Sequence, residues 1–237
     1  MTEEKKTLVD EAYERIQQKI CNFELVPGQA VSDFILSKEL KMSRTPIRVA
    51  LQKLENDGMI RNGGIGQSYF VQEITEEDIV DLFDARCGIE MTALELLMRK
   101  DINADDIIYF RKLNGLMEEE NQKGHIRQQF LFDQKFHDKL VFLSKNSRII
   151  RFYESLRLQF TRIRVLSYLE RSYQDKAYRE HEQIIAKMEV GDQAGAISIL
   201  RDHIDSTKVN YLTLLTERLQ GESFGVLSNA MKADSFL

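Results

Sequence analysis

At 237 residues the chain is long enough for two domains with separate cores, and its 43% hydrophobic and 30% charged residues are an ordinary globular balance. A net charge of −5 argues against a protein that coats nucleic acid through bulk positive charge. No apolar run approaches the roughly 20 residues that span a bilayer. The charged N-terminus lacks a signal-peptide apolar stretch, and Cys21 and Cys87 read as free thiols, so a cytoplasmic protein is expected.

Charge is unevenly spread. Residues 1–72 hold ten Lys/Arg and ten Asp/Glu, so residues 73–237 carry the whole negative excess. Between 37 and 61 six bases (Lys38, Lys41, Arg44, Arg48, Lys53, Arg61) stand against three acids (Glu39, Glu55, Asp57). A first helix is expected over 7–23, with Leu8, Ala12, Ile16 and Ile20 on one face. Pro27-Gly28 marks a turn, and a short helix follows over 33–40, with Phe34, Ile35 and Leu40 apolar. The stretch 43–60 predicts a further helix. Ile47, Leu51 and Leu54 share its back, extended by Ala50 and Met59. Ser43 is placed as N-cap, Pro46 in the first turn and Gly58 as the stop. Its other face carries Arg44, Thr45, Arg48 and Gln52. An apolar back with a basic, hydrogen-bonding front is what a helix entering a DNA major groove requires. Gly63, Gly64 and Gly66 then precede Ser68-Tyr69-Phe70-Val71, the pattern of a two-stranded wing.

The spacing I-x3-I-x4-L-x-P-G, followed by LS-x-E-L-x-M-SRTP-x-R-x-AL-x-x-L-x-x-x-G-x-I, resembles the winged helix-turn-helix of the GntR family of bacterial transcription regulators. The resemblance covers about the first 72 residues. It implies that Arg44, Thr45 and Arg48 contact DNA and that Gly66 lies in the wing near the minor groove. Val49 departs from the pattern, which often has Glu there.

Both prolines lie upstream, at 27 and 46, so nothing from 73 to 237 interrupts long helices. Six are expected, over 76–100, 104–123, 125–144, 146–168, 172–190 and 192–220, forming an all-α antiparallel bundle. The fold class is therefore mainly α. The expected division is a DNA-binding domain at 1–73, a helical domain at 74–220 and a tail at 221–237. Asp133 and His137 stand four apart on one helix and so meet on one face. His181 and His203 each lie about ten residues from the turn at Gly191-Asp192, at similar depth on neighbouring helices. If these four converge they make an N3O set for a divalent metal; the plainer alternative is ordinary hydrogen-bonded or surface histidines. Arg86 sits three residues from apolar Phe83 and from Ile89, and an Arg near an apolar face needs an anion, either Glu90 at i+4 or a ligand. Arg151, Arg157, Arg162 and Arg164 read as a solvated or salt-bridged stripe, with lining of the pocket as the alternative for some of them, and His125 reads as structural or exposed.

Asp133-x3-His137, Glu180-His181 and Val190-Gly191-Asp192-x3-Ala196-x6-His203-Ile204 resemble the FCD ligand-binding domain of the FadR-like branch of that family. The resemblance implies that Asp133, His137, His181 and His203 bind a divalent ion, zinc first, with nickel, manganese or iron as alternatives. It also implies that Arg86 pairs with the carboxylate of a small organic acid that reaches the metal. The expectation is a homodimeric regulator on a palindromic operator, commonly a repressor, without enzymatic activity. The alternatives are a helical metalloenzyme acting on an organic acid and a metal-sensing regulator.

Overall fold

The computed structural model describes residues 7–64, 68–100, 102–164 and 172–218. Gly66, the tail 221–237 and the ends expected at 165–168 and 219–220 lie outside the described residues.

The N-terminal part contains α1 (Leu8–Cys21), β1 (Ala30–Val31), α2 (Asp33–Leu40), α3 (Arg44–Asn56), β2 (Ile60–Asn62) and β3 (Tyr69–Val71). A capping box between Thr7 and Asp10 starts α1. Ala12, Ile16 and Ile20 are buried as the spacing predicts, whereas Leu8 is exposed. On α2 the buried pair is Leu36 and Leu40; Phe34 and Ile35 face outward. The left-handed Lys41 turns the chain into α3. Ser43 occupies the N-cap position but makes no side-chain cap bond. Of the two N–H groups that an N-cap side chain can accept from, Pro46 at the third helical position has none, and the bond to Thr45 at the second is not made. Ile47, Ala50, Leu51, Leu54 and Met59 are fully buried, and Gly58 ends the helix with φ +70°.

The wing is larger than the sequence suggested. β3 pairs antiparallel with β2 (Ile60 opposite Val71) and with β1 (Val31 opposite Tyr69), giving the order β1-β3-β2. Two residues are too short to betray β1 by alternation.

The second part is α4 (Glu76–Met98), α5 (Ala104–Lys123), α6 (Ile126–Leu143), α7 (Ser147–Arg164), α8 (Ser172–Glu189) and α9 (Gln193–Arg218). Two of the turns fall where Gly124 and Gly191 adopt positive φ. α4 packs on α9, α6 and α7, and α8 packs on α5 and α9. Their shared core includes Ile79, Phe83, Leu94, Phe110, Phe136, Leu140, Ile184, Leu200 and Ile204.

The two parts exchange core residues. Phe23 belongs to the bundle core, while Leu158 of α7 packs against the N-terminal core. Gln159 Nε2 donates to the Asp57 carbonyl at 3.3 Å, and Arg162 donates to the carbonyls of Gln72 (2.8 Å) and Glu73 (3.3 Å). Arg162 therefore corrects the expectation of a solvated stripe. It is buried, and that burial lowers its pKa to about 10 against the opposing charge of Asp78. Arg157 does behave as expected, paired with Asp138 at 3.1 Å.

Candidate metal centre and nucleic-acid interface

On the N-terminal part, Arg44, Thr45, Arg48 and Val49 are all exposed on the outer face of α3, opposite its buried back. Arg44 and Arg48 converge on one carboxylate. Arg44 Nη2 lies 2.8 Å from Asp33 Oδ1, and Arg48 Nε lies 2.6 Å from Asp33 Oδ2. By sequence Asp33 is only the first residue of the short helix expected over 33–40; its role as their common acceptor needed the fold.

In the bundle, Asp133 and His137 on α6, His181 on α8 and His203 on α9 come together, with ligand-capable atoms all within 4.8 Å of one another. Nε2 of His137 lies 3.8 Å, and Nε2 of His181 3.6 Å, from Asp133 Oδ1. Donors held by one ion at about 2.0–2.2 Å sit roughly 3–3.5 Å apart, so little movement is needed to close on a metal. His137 and His181 are fully buried, His203 nearly so. His137 Nε2 and both ring nitrogens of His181 have no hydrogen-bond partner. Buried imidazole nitrogens left unpaired are costly unless something coordinates them. The residues therefore fit a divalent ion.

Two carboxylates orient the set. Glu90 Oε2 is 2.6 Å from His137 Nδ1, and Glu180 Oε2 is 2.9 Å from His203 Nδ1. A carboxylate at Nδ1 holds the proton there and leaves Nε2 as the lone-pair donor. Burial lowers the pKa of His181 well below its ordinary value, with His203 adding to the effect, and burial likewise lowers that of His203. Deprotonated imidazoles are the form a metal requires.

Arg86 is buried on α4, and its Nε donates to Glu90 Oε1 at 2.6 Å, so the i+4 partner is real. It does not exhaust the guanidinium, whose buried Nη2 has no partner. Burial pushes the Glu90 carboxyl up, but Arg86 and His137 outweigh it and hold the group far below the carboxylate range. Glu90 thus bridges Arg86 to the histidine cluster. Spacing offered Glu90 as the i+4 partner of Arg86 and Glu180 as the neighbour of His181; the contacts of Glu90 with His137 and of Glu180 with His203 were not readable from it. His125 is exposed and pairs with Glu120 at 2.8 Å, away from the cluster.

Two family profiles match. Residues 8–66 match bacterial regulatory proteins of the gntR family, and residues 81–206, more than half the chain, match the FCD domain. The uncharacterized HTH-type transcriptional regulator YdhC of Bacillus subtilis is 24% identical over 188 residues, spanning 78% of this chain and 82% of the relative. The gluconate operon transcriptional repressor of the same organism is 26% identical over 205 residues, spanning 83% and 82%. Among solved structures, McbR/YncC of E. coli superposes with a TM-score of 0.73 at 16% identity, covering 87% of this chain and 98% of that one. Both Bacillus subtilis relatives are named as transcriptional regulators, which leaves the metalloenzyme alternative without support.

Proposed function

The chain is a transcriptional regulator belonging to the gntR family of bacterial regulatory proteins, with an FCD domain, and from that premise we propose a cytoplasmic, homodimeric repressor controlled by a metal-bound carboxylate. In this reading residues 1–73 bind DNA and residues 74–220 bind the effector. Arg44, Thr45 and Arg48 meet phosphates and base edges, and the wing adds backbone contacts. Two copies of α3 enter successive major grooves of a palindromic operator, about one helical turn apart. No helix among the described residues is long and apolar enough to cross a membrane.

Asp133, His137, His181 and His203 would hold the ion, zinc first among nickel, manganese and iron. Bound there, it supplies a Lewis-acidic positive charge that attracts a carboxylate oxygen. Arg86 supplies a second cationic contact through the Nη2 that Glu90 leaves unpaired. The observation that carries this reading is the joining of both groups through one carboxylate: Glu90 touches Arg86 and His137, each at 2.6 Å. An acid bound there favours one arrangement of the two DNA-binding parts only as far as it binds the two arrangements unequally.

The test is thermal unfolding of the full chain against a panel of small carboxylates, including gluconate, with and without a chelator. An acid at 100 times its dissociation constant adds about 2.7 kcal/mol to the native state. Stabilisation that disappears with chelator and in Arg86→Ala supports the pocket. Chelator without effect, together with no responding acid, refutes it.

A further inference from the structure

Asp33 is the first residue of α2, with Ser32 as N-cap, and the tight turn at Lys41 brings it beside the first two turns of α3. Its side chain is 19% exposed, whereas those of Arg44 and Arg48 are 50% and 60% exposed. The carboxylate accepts from Arg44 Nε (3.2 Å) and Nη2 (2.8 Å) and from Arg48 Nε (2.6 Å). The pairing of two arginines also holds the Asp33 carboxyl below its ordinary pKa. Arg48 thus spends its Nε on the protein and keeps both Nη groups, the fork that matches a guanine edge or a phosphate, clear of that bond. Arg44 spends Nε and Nη2 and keeps Nη1.

We propose that Asp33 is a specificity-determining positioning residue, which holds Arg44 and Arg48 side by side in the free protein with their outer N–H groups facing DNA. The inference rests on the reading that these two arginines contact DNA. Two physical consequences follow. A long side chain fixed before binding loses less rotamer freedom on docking, so base-edge geometry is rewarded. And the three side chains together carry one positive charge rather than two, which trims the sequence-independent attraction to phosphate. Both effects widen the gap between the right sequence and any other.

The experiment uses the full chain. A preferred duplex is selected in vitro from a random library by the wild type. Binding of that duplex and of a random duplex is then measured across a salt series for wild type, Asp33→Asn and Arg48→Ala. For Asp33→Asn the expected result is at least a tenfold fall in the ratio of selected to random affinity. The log–log salt slope on random DNA should also steepen by about one per protomer. A merely structural weakening of α2 would lower both affinities in parallel and leave the slope alone, and that outcome overturns the proposal. So does a ratio that stays within twofold, including the case where Asp33→Asn tightens both duplexes equally. Arg48→Ala separates the two levels. If it leaves affinity for the selected duplex unchanged, the arginine reading fails and this inference with it. If it abolishes that binding while Asp33→Asn keeps the ratio, only the role of Asp33 is lost.

Discussion

Replacing Glu90 by Gln tests whether the centre of the bundle is one electrostatic unit. The change is nearly isosteric, so no cavity opens, and the cost is electrostatic. Arg86 is 2% exposed and Glu90 fully buried, with Nε and Oε1 2.6 Å apart. Removing one partner of a buried pair typically costs about 3–5 kcal/mol, because the remaining charge is left uncompensated. His137 also loses the acceptor that holds its Nδ1 proton. Urea unfolding followed by circular dichroism, in chelator so that metal linkage does not enter, should show a loss of about 3–5 kcal/mol for Glu90→Gln. Arg86→Met combined with Glu90→Gln should lose less than Glu90→Gln alone, since no charge is then stranded. A carboxylate such as acetate should stabilise the Glu90→Gln protein more than the wild type by pairing the freed guanidinium. A loss under 1 kcal/mol, or a double variant as unstable as the sum of its parts, would refute the reasoning.

Three further outcomes follow. Gly58→Ala places a left-handed Cβ 2.8 Å from Gln159 Nε2; the backbone strain costs about 1–2 kcal/mol, and Gln159→Ala should relieve only the remaining clash, both read by thermal unfolding. In the metal-free protein the lowered pKa values of His181 and His203 mean that the unfolded chain binds protons first. Stability should therefore be intact above the unfolded value near 6.5 and fall as pH drops below it, by up to about 1.4 kcal/mol per pH unit for each imidazole. Stability flat between pH 7 and 5 would contradict their buried, neutral state. Arg48→Ala should weaken DNA binding and reduce the salt slope by about one per protomer, as measured by fluorescence anisotropy.

Much of this molecule was legible in the sequence because its signals are periodic. Ile47, Leu51 and Leu54 mark the back of α3, and the absence of proline after 46 leaves the bundle uninterrupted. The histidines could be placed at one depth because the turn at Gly191 fixes the register of α8 against α9, and their rings stand 4.8 Å apart. What escaped was whatever depends on contacts between elements. Arg162 lies in a basic stripe by composition, yet Gln72 and Glu73 bring carbonyls to it from 90 and 89 residues away. The two-residue β1 has no period to read. Ser43 stands at the N-cap but makes no cap bond: Pro46 removes one of its two candidate donors, and the other, the Thr45 N–H, is not used.

The decisive measurement is the affinity of the full-length wild type for its in vitro-selected duplex in four conditions: chelator, zinc alone, the stabilising acid with chelator, and zinc with that acid. A metal-bound carboxylate effector predicts that only zinc and acid together weaken operator binding, by at least fivefold, with the effect lost in His203→Ala and in Arg86→Ala. A response to zinc alone would make the ion the signal, and equal affinity in all four conditions would contradict control of DNA binding by the cluster.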